Sequence, residues 1–181
     1  MAPSIQNPIV YAEFKSLQVK TVSFLAYILR SFIAMLKPFQ DQIADGVITV
    51  MKDLPGDASA TRKELLVAAR HLWFTDFRVA FLRHINVLLT DDVLVGTGVT
   101  CQETLRPLAH SVLIDLLHNV RIQLTLPQIS RIIIAYSKTL QDINIPPQIQ
   151  TMCVKLLLGL ADNLVNQPSK TEGNINAILI L

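Results

Sequence analysis

A helical spacing of apolar residues, repeated along almost the whole chain, constrains the fold more than any other feature of the sequence. Apolar side chains recur three and four positions apart, which places them on one face of an α-helix. Stretches with this spacing cover residues 17–36, 38–52, 65–73, 77–89, 105–120, 125–143 and 149–164. Every element that the pattern indicates is a helix, so the sequence predicts an all-α protein.

The connections between these helices are mostly short, and helix pairs recur about every 40 residues, the period of HEAT and armadillo arrays. Short connections force consecutive helices to pack antiparallel. A single pair cannot bury both of its faces, so neighbouring pairs must stack. We therefore predict an α-solenoid of HEAT-like antiparallel helix pairs over residues 9–166. Residues 1–8 are expected to be irregular, and residues 167–181 are expected to form a linker and an atypical C-terminal end.

Both ends of the chain are apolar. Residues 1–12 carry no charged side chain, and residues 178–181 are all aliphatic. A self-contained solenoid needs terminal repeats with polar outer faces. The sequence therefore predicts a segment of a longer array, whose remainder would cover these ends.

Composition limits the partners of the chain. Hydrophobic residues make up 51% of the sequence and charged residues 17%, with a net charge of +2. This charge is too small to predict binding to nucleic acid. The longest uncharged stretches, residues 1–12 and 143–154, are shorter than the roughly twenty apolar residues of a membrane span, so no membrane association is predicted. Two cysteines, Cys101 and Cys153, predict buried, reduced thiols and hence the cytosol or the nucleus.

Residues 93–98 resemble the strand and glycine turn of a nucleotide-binding unit. A dinucleotide fingerprint needs three glycines, of which Gly96 and Gly98 are present while Cys101 occupies the third position. The expected ribose-binding acid would be Asp115, which lies inside a helical pattern, and no P-loop lysine follows. We favour a loop in which Gly96 and Gly98 adopt positive φ. A small nucleotide-binding enzyme that uses the Gly96 turn stays open as an alternative.

No set of residues indicates catalysis, a metal site or a cofactor. The four histidines are His71, His84, His110 and His118. They lack the spacing that would place two imidazoles together on one helix face. Asp115 and His118 could share a face, which more often gives a surface hydrogen bond than a metal site. We therefore predict no enzyme activity, no cofactor and no metal.

Five basic residues fall on two consecutive predicted helices and could form a contact surface for acidic peptides: Arg62, Lys63, Arg70, Arg78 and Arg83. The alternative is an ordinary solvated ridge. In addition, Asp57 and Arg62 have the arrangement of a HEAT second helix, in which an acid and a base pair between adjacent repeats.

Four strings in this helical array resemble the amino-terminal HEAT region of the TRRAP/Tra family of transcription-associated pseudokinases. They are EFKSLQVKTVSFLAYILR (13–30), ATRKELLVAARHL (60–72), VLVGTGVTCQETLRPLAHSVLIDLLHNVR (93–121) and IQTMCVKLLLGL (149–160). The resemblance runs from about residue 8 to residue 167. Residues 75–78 read Thr-Asp-Phe-Arg and lack the glycine of a kinase DFG motif.

The resemblance implies a non-catalytic scaffold subunit of a nuclear histone acetyltransferase coactivator complex of SAGA type. Its partners would be other subunits, transcription-activator peptides and the remainder of the parent solenoid. The alternative within the same architecture is a cargo or transport adaptor of importin type, which would present ladders of Asn and Trp. Trp73 is the only tryptophan in the chain.

Overall fold

The computed structural model describes residues 7–165, and these residues contain helices and no strand. The α-helices are α1 Pro8–Leu36, α2 Gln40–Asp53, α3 Ser59–Trp73, α4 Ile85–Leu88, α5 Asp91–Leu94, α6 Val99–Val120, α7 Leu126–Gln141 and α8 Pro147–Val165. Short 3₁₀ helices cover Lys37–Phe39, Asp76–His84 and Arg121–Gln123. The predicted C-terminal linker and end, residues 167–181, lie outside the described residues, as does most of the predicted irregular N-terminus.

The helix boundaries follow local sequence signals. Asn7 caps α1, since its Oδ1 accepts hydrogen bonds from the backbone N–H groups of Ile9 and Val10 at 3.1 and 3.3 Å. Thr125 and Gln128 form a capping box at the start of α7. The turn at residues 53–56 ends α2, as its proline and glycine predict.

One predicted helix differs in type. Residues 77–89, expected to be an α-helix, form the nine-residue 3₁₀ helix Asp76–His84 followed by α4. Phe77 and Ala80 are both buried and lie three positions apart. With three residues per turn, the tighter helix places these two side chains on one face.

The helices form two layers. In one layer α1 packs on α3, α3 on α6, and α6 on α8, while in the other α2 packs on the Asp76–His84 helix and α4 contacts α7. Four side-chain hydrogen bonds join residues that lie 41 to 46 positions apart in the sequence. The pairs are Ser23–Glu64, Asp41–Arg83, Leu82–Gln128 and Arg121–Asn163. Equivalent elements therefore meet at the period of a HEAT repeat, and the predicted all-α solenoid is confirmed.

The first helical segment carries a long apolar stripe that no described residue covers. Its aromatic members Phe14, Phe24 and Tyr27 are exposed, Tyr27 to 76%. By length and composition, the segment Pro8–Asp53 could also cross a membrane, with a mean hydropathy of 1.5 in its most apolar window. The sequence analysis counted only uncharged stretches and predicted no segment long enough to span a membrane. That prediction is wrong, because this helical segment continues through isolated charged residues. A helix that packs inside a protein core can pass the same test of length and composition, so this finding alone does not indicate a membrane span.

Candidate interaction surface

Arg62 does not belong to a surface. Its side chain is 1% exposed, and its guanidinium donates hydrogen bonds to the carbonyls of Met51 at 3.3 Å, Leu54 at 3.2 Å and Val93. The first two carbonyls lie at the end of α2 and the third lies in α5. Arg62 therefore caps two helix C-termini from the interior. The expected pairing with Asp57 is replaced by these three carbonyls.

Three other residues of the predicted basic surface are engaged within the protein. Arg70 Nη2 lies 2.9 Å from Asp115 Oδ2, and Arg83 Nη2 lies 2.8 Å from Asp45 Oδ1. Arg78 is 3.9 Å from the neighbouring Asp76. The pairs of Arg70 and Arg83 join successive repeats, so these two side chains link neighbouring elements of the array.

Among the five predicted basic residues, Lys63 has an exposed side chain beside a groove. It lines an open groove of about 390 Å³ between α3 and α6, together with Thr104 and Pro107. The five basic residues therefore do not form one continuous patch. Binding of an acidic peptide to Lys63 and its surroundings stays a prediction.

The glycine turn packs against the protein rather than opening toward a ligand. Gly96 has φ +99°, as expected, whereas Gly98 has φ −72° and serves as the N-cap of α6, so its predicted positive φ is wrong. The N–H of Gly98 donates to the carbonyl of Gly56 at 2.8 Å. A Cβ at Gly98 would lie 2.8 Å from that carbonyl oxygen, so Gly98 is needed for close approach.

This packing removes the geometric basis of the nucleotide hypothesis. Residues 93–98 form the end of α5 and a turn, where the fingerprint requires a strand. The loop at Gly56 and Asp57 covers the N-terminus of α6, which is where a phosphate would bind. Residues 7–165 also contain no cluster of three His, Cys, Asp or Glu side chains that could hold a metal ion.

The cysteines are free and buried, as predicted. Burial raises the pKa of the Cys153 thiol to about 11, so this thiol is protonated and a poor nucleophile near neutral pH. Asp115, considered with His118 as a pair, instead binds Arg70.

A cleft that the sequence did not indicate lies between α6 and α7, with α4 and α5 at one end. Its volume is about 470 Å³. His110, 5% exposed, and Tyr136, 2% exposed, both line it, and their rings meet edge to face with centroids 6.1 Å apart. Neither imidazole nitrogen, nor the Tyr136 hydroxyl, has a hydrogen-bond partner within residues 7–165.

Charged side chains surround this cleft. Arg106 lies 3.2 Å from Asp142 and 3.8 Å from Asp91, so its charge is balanced by two carboxylates. A backbone hydrogen bond from Asn144, and then the charge of Arg106, lower the pKa of Asp142 below its ordinary value. Arg131 and Lys138 also line the cleft and are exposed.

Burial keeps the two floor groups uncharged. It lowers the pKa of His110 below 6.5, against a smaller opposing effect of Asp91, and it raises the pKa of Tyr136 well above 10. Near neutral pH the imidazole and the phenol are therefore both uncharged, and their polar atoms are enclosed beneath the surface of the cleft. No sequence motif marks these residues, since they are brought together only by the packing of α6 on its neighbours.

The two-layer helix stack and the repeat-to-repeat hydrogen bonds define the class of the protein: a section of a HEAT-type α-solenoid. The family model described as the Tra1 HEAT repeat central region matches residues 10–181. The chain belongs to this family. The match places it in the central HEAT region rather than in the amino-terminal HEAT region that the resemblance indicates.

Individual relatives agree with this assignment. The chain is 42% identical over 165 residues to the SAGA complex/NuA4 acetyltransferase complex subunit Tra1 of Schizosaccharomyces pombe, covering 91% of this chain and 4% of that protein. It is 38% identical over 176 residues to the human transformation/transcription domain-associated protein, covering 97% of this chain and 5% of the relative. The zebrafish protein of that name is 39% identical over 174 residues, which cover 96% of this chain and 4% of the relative. The chain thus spans about a twentieth of these relatives, within their HEAT repeats and outside any kinase domain.

Proposed function

We propose that this chain is a non-catalytic scaffold section of a nuclear Tra1-type subunit in a histone acetyltransferase coactivator complex of SAGA or NuA4 type. The family assignment supports the complex, because relatives carry these complexes in their names. The architecture supports the scaffold role, since stacked helix pairs offer extended surfaces for partners and for neighbouring repeats.

The exposed apolar stripe of α1 is the structural observation that carries the scaffold proposal. It presents large side chains, among them Phe14, Phe24 and Tyr27, along the part of α1 that precedes a kink at Phe32. Contiguous apolar surface of this kind marks an interaction site. We assign this stripe to contacts with a neighbouring helical repeat of a parent solenoid, whose length in the relatives leaves room for many such repeats.

Purification of the full-length parent protein from nuclear extract tests the complex. Acetyltransferase subunits and histone acetyltransferase activity are expected to co-purify with the tagged protein, and mass spectrometry identifies them. Purification without acetyltransferase subunits would contradict the proposal.

The stripe itself is tested on the 181-residue chain by light scattering. The double substitution Phe24→Ser and Tyr27→Ser is expected to reduce self-association, because it removes apolar area from an exposed face. Replacing the exposed Lys155 and Thr151 of α8 by serine and alanine provides a control that leaves the stripe intact. Equal self-association of all three proteins would argue against the stripe as a contact surface.

Transcription activators are the second class of partner that we propose, again by extension from the family.

Neither alternative function gains support. Trp73 is 2% exposed and packs edge to face on Phe81, so it cannot contribute to a surface ladder of a cargo adaptor. The Gly96 turn lacks the strand that a nucleotide-binding enzyme needs.

A further inference from the structure

We propose that the apolar stripe of α1 binds a second copy of this chain, with the two α1 helices antiparallel about a two-fold axis at the level of Val19. The inference goes beyond the proposed scaffold function and shares with it only the use of this stripe as a contact surface. In a parent solenoid a neighbouring repeat would occupy the same stripe, so the two contacts are alternatives.

The spacing of the stripe indicates an α-helix as its occupant. Before the kink at Phe32, its members follow one another at alternating intervals of four and three residues: Val10, Phe14, Leu17, Thr21, Phe24 and Ile28. This is the heptad spacing of a coiled-coil seam, in which two helices pack side by side at a crossing angle of about 20°. The four largest gaps in the covering of α1 are at Val10, Phe14, Leu17 and Phe24, which are each more than half exposed.

The stripe is accessible to a second helix. The buried residues Val19, Val22, Ala26 and Leu29 lie on the other side of α1 and face the rest of the chain. At 3.6 residues per turn, Leu17 points almost opposite to Val19. A second α1 can therefore reach the stripe without displacing any contact within the first copy.

The order of side chains along the stripe matches itself when it is reversed. With the axis at the level of Val19, residues whose numbers are equally far above and below 19 lie opposite each other. Phe14 then packs on Phe24 of the second copy, Val10 on Ile28, and Leu17 on Thr21. Every contact occurs twice, as a two-fold interface requires. The two pairs of phenylalanine rings add a favourable aromatic contact.

The available area is sufficient for a stable dimer. The straight part of α1, from Pro8 to the residue before the kink, is about 36 Å long. Beside it lies an open, mainly apolar groove of about 400 Å³ that α1 shares with α2, so the contact face is two helices wide, about 20 Å. Two copies would bury roughly 1,400 Å² in total, which is the size of a standard specific interface. We expect a dissociation constant of about 10 µM or tighter.

Apolar overlap decides the register of the two helices. A register shifted by one heptad would place Glu13 beside Lys20 of the second copy, twice, but it would shorten the overlap by about a third. Exposed ion pairs contribute little, whereas buried apolar area is the main source of stability. In the longer register, Lys20 flanks the axis and lies near Lys20 of the second copy. This contact between like charges distinguishes the two registers.

Sedimentation equilibrium of the 181-residue chain tests the dimer. Between about 1 and 100 µM, the mass is expected to rise to twice that of the chain and to stay there, because a two-fold interface closes on itself. A chain that remains monomeric at the highest concentration would overturn the proposal. So would a mass that keeps growing beyond the dimer.

Two leucine substitutions test the stripe. Leu17→Ser is expected to weaken the dimer at least tenfold, because each dimer loses two buried leucines. Leu158→Ser on α8 is the matched control without effect, since Leu158 is 60% exposed and Leu17 is 61% exposed. Both residues are exposed in the monomer, and circular dichroism shows that the fold is retained. Equal weakening by both substitutions would indicate head-to-tail contact between α1 and α8 and would contradict the antiparallel dimer.

The substitution Lys20→Gln tests the axis. It removes the like charges that meet there and is expected to tighten the dimer about two- to fivefold. Lys155→Gln on α8 makes the same change in net charge and should have no effect. Weaker association of Lys20→Gln would indicate the shorter register with Glu13, and unchanged association would show that the two Lys20 side chains do not meet. Either result rejects the proposed axis, while the co-purification of the parent protein with acetyltransferase subunits stays a separate question.

Discussion

Replacing Arg62 by methionine tests whether a buried arginine holds two repeats together. The guanidinium donates to Met51, Leu54 and Val93 carbonyls, which lie at the ends of α2 and α5. A positive charge at helix C-termini is also favoured by the helix dipoles. Methionine fills a similar volume, so the substitution removes the hydrogen bonds and the charge while it retains most of the packing.

The expected loss follows from the carbonyls left behind. An unsatisfied buried acceptor costs about 1–3 kcal/mol, so three give about 3–9 kcal/mol. The substitution also removes the desolvation cost of the buried guanidinium, which lowers the pKa of Arg62 in the folded protein, so the lower half of this range applies. We therefore expect the free energy of unfolding to fall by about 3–5 kcal/mol. For a chain of this length, this corresponds to a midpoint lowered by roughly 6–20 °C.

Urea and thermal unfolding, followed by circular dichroism at the helical band, measure this loss. Lys63→Met is the matched control, because Lys63 is the exposed neighbour on the same helix. Its effect should stay within about 0.5 kcal/mol. Arg62→Lys should fall between the two, since a single ammonium cannot reach all three carbonyls. A loss below about 1 kcal/mol for Arg62→Met would refute the interpretation of Arg62 as a double cap.

Three further predictions concern glycine conformation and titration. Gly96→Ala should destabilise the fold by about 1–3 kcal/mol in urea unfolding, because its φ of +99° disfavours a side chain and a Cβ would lie 2.9 Å from the Arg62 side chain. Gly46→Ala is the control and should stabilise α2 by about 0.5–1 kcal/mol, because nothing lies within 4 Å of an added Cβ. A stabilising Gly96→Ala together with a destabilising Gly46→Ala would contradict this reasoning. The pKa of Cys153 is about 11 in the folded state, against an ordinary value near 9, so the thiol of the unfolded chain ionises first as pH rises. The unfolding free energy should therefore fall between pH 9 and 11, and this fall should be smaller in Cys153→Ala. The pKa of His110 is lowered in the folded state, so the imidazole of the unfolded chain binds a proton first as pH falls through about 6.5. The unfolding free energy should therefore decrease below that pH. In measurements of the unfolding midpoint against pH, this decrease should be smaller for His110→Gln.

The helices were predictable because their signals are local. The capping box of α7 and the proline and glycine after α2 mark boundaries within a few residues of sequence. The repeat period could be read from the spacing of such elements. The tight helix at Asp76–His84 was missed, because apolar residues three apart fit an α-helix and a 3₁₀ helix alike over a short stretch.

The candidate sites were much less predictable. Charge and helical spacing placed Arg62 on the same surface as Lys63, although only Lys63 is exposed. The difference arises because the ends of α2 and α5 converge on Arg62 and supply carbonyls that a sequence pattern does not show. The His110 and Tyr136 pair was missed for the same reason, since the two residues are far apart in sequence and share no motif.

The sequence by itself determined that the chain is helical, that its helices stack in pairs, and to which family it belongs, because periodicity and similarity are properties of the order of residues. Tertiary structure alone decided which polar side chains face solvent and which face other helices. A cation such as Arg62 is stable in the interior only where several acceptors meet it at hydrogen-bond distance. Whether these acceptors surround Arg62 depends on how three separate segments pack against one another. The residue pattern within any one segment does not determine that packing.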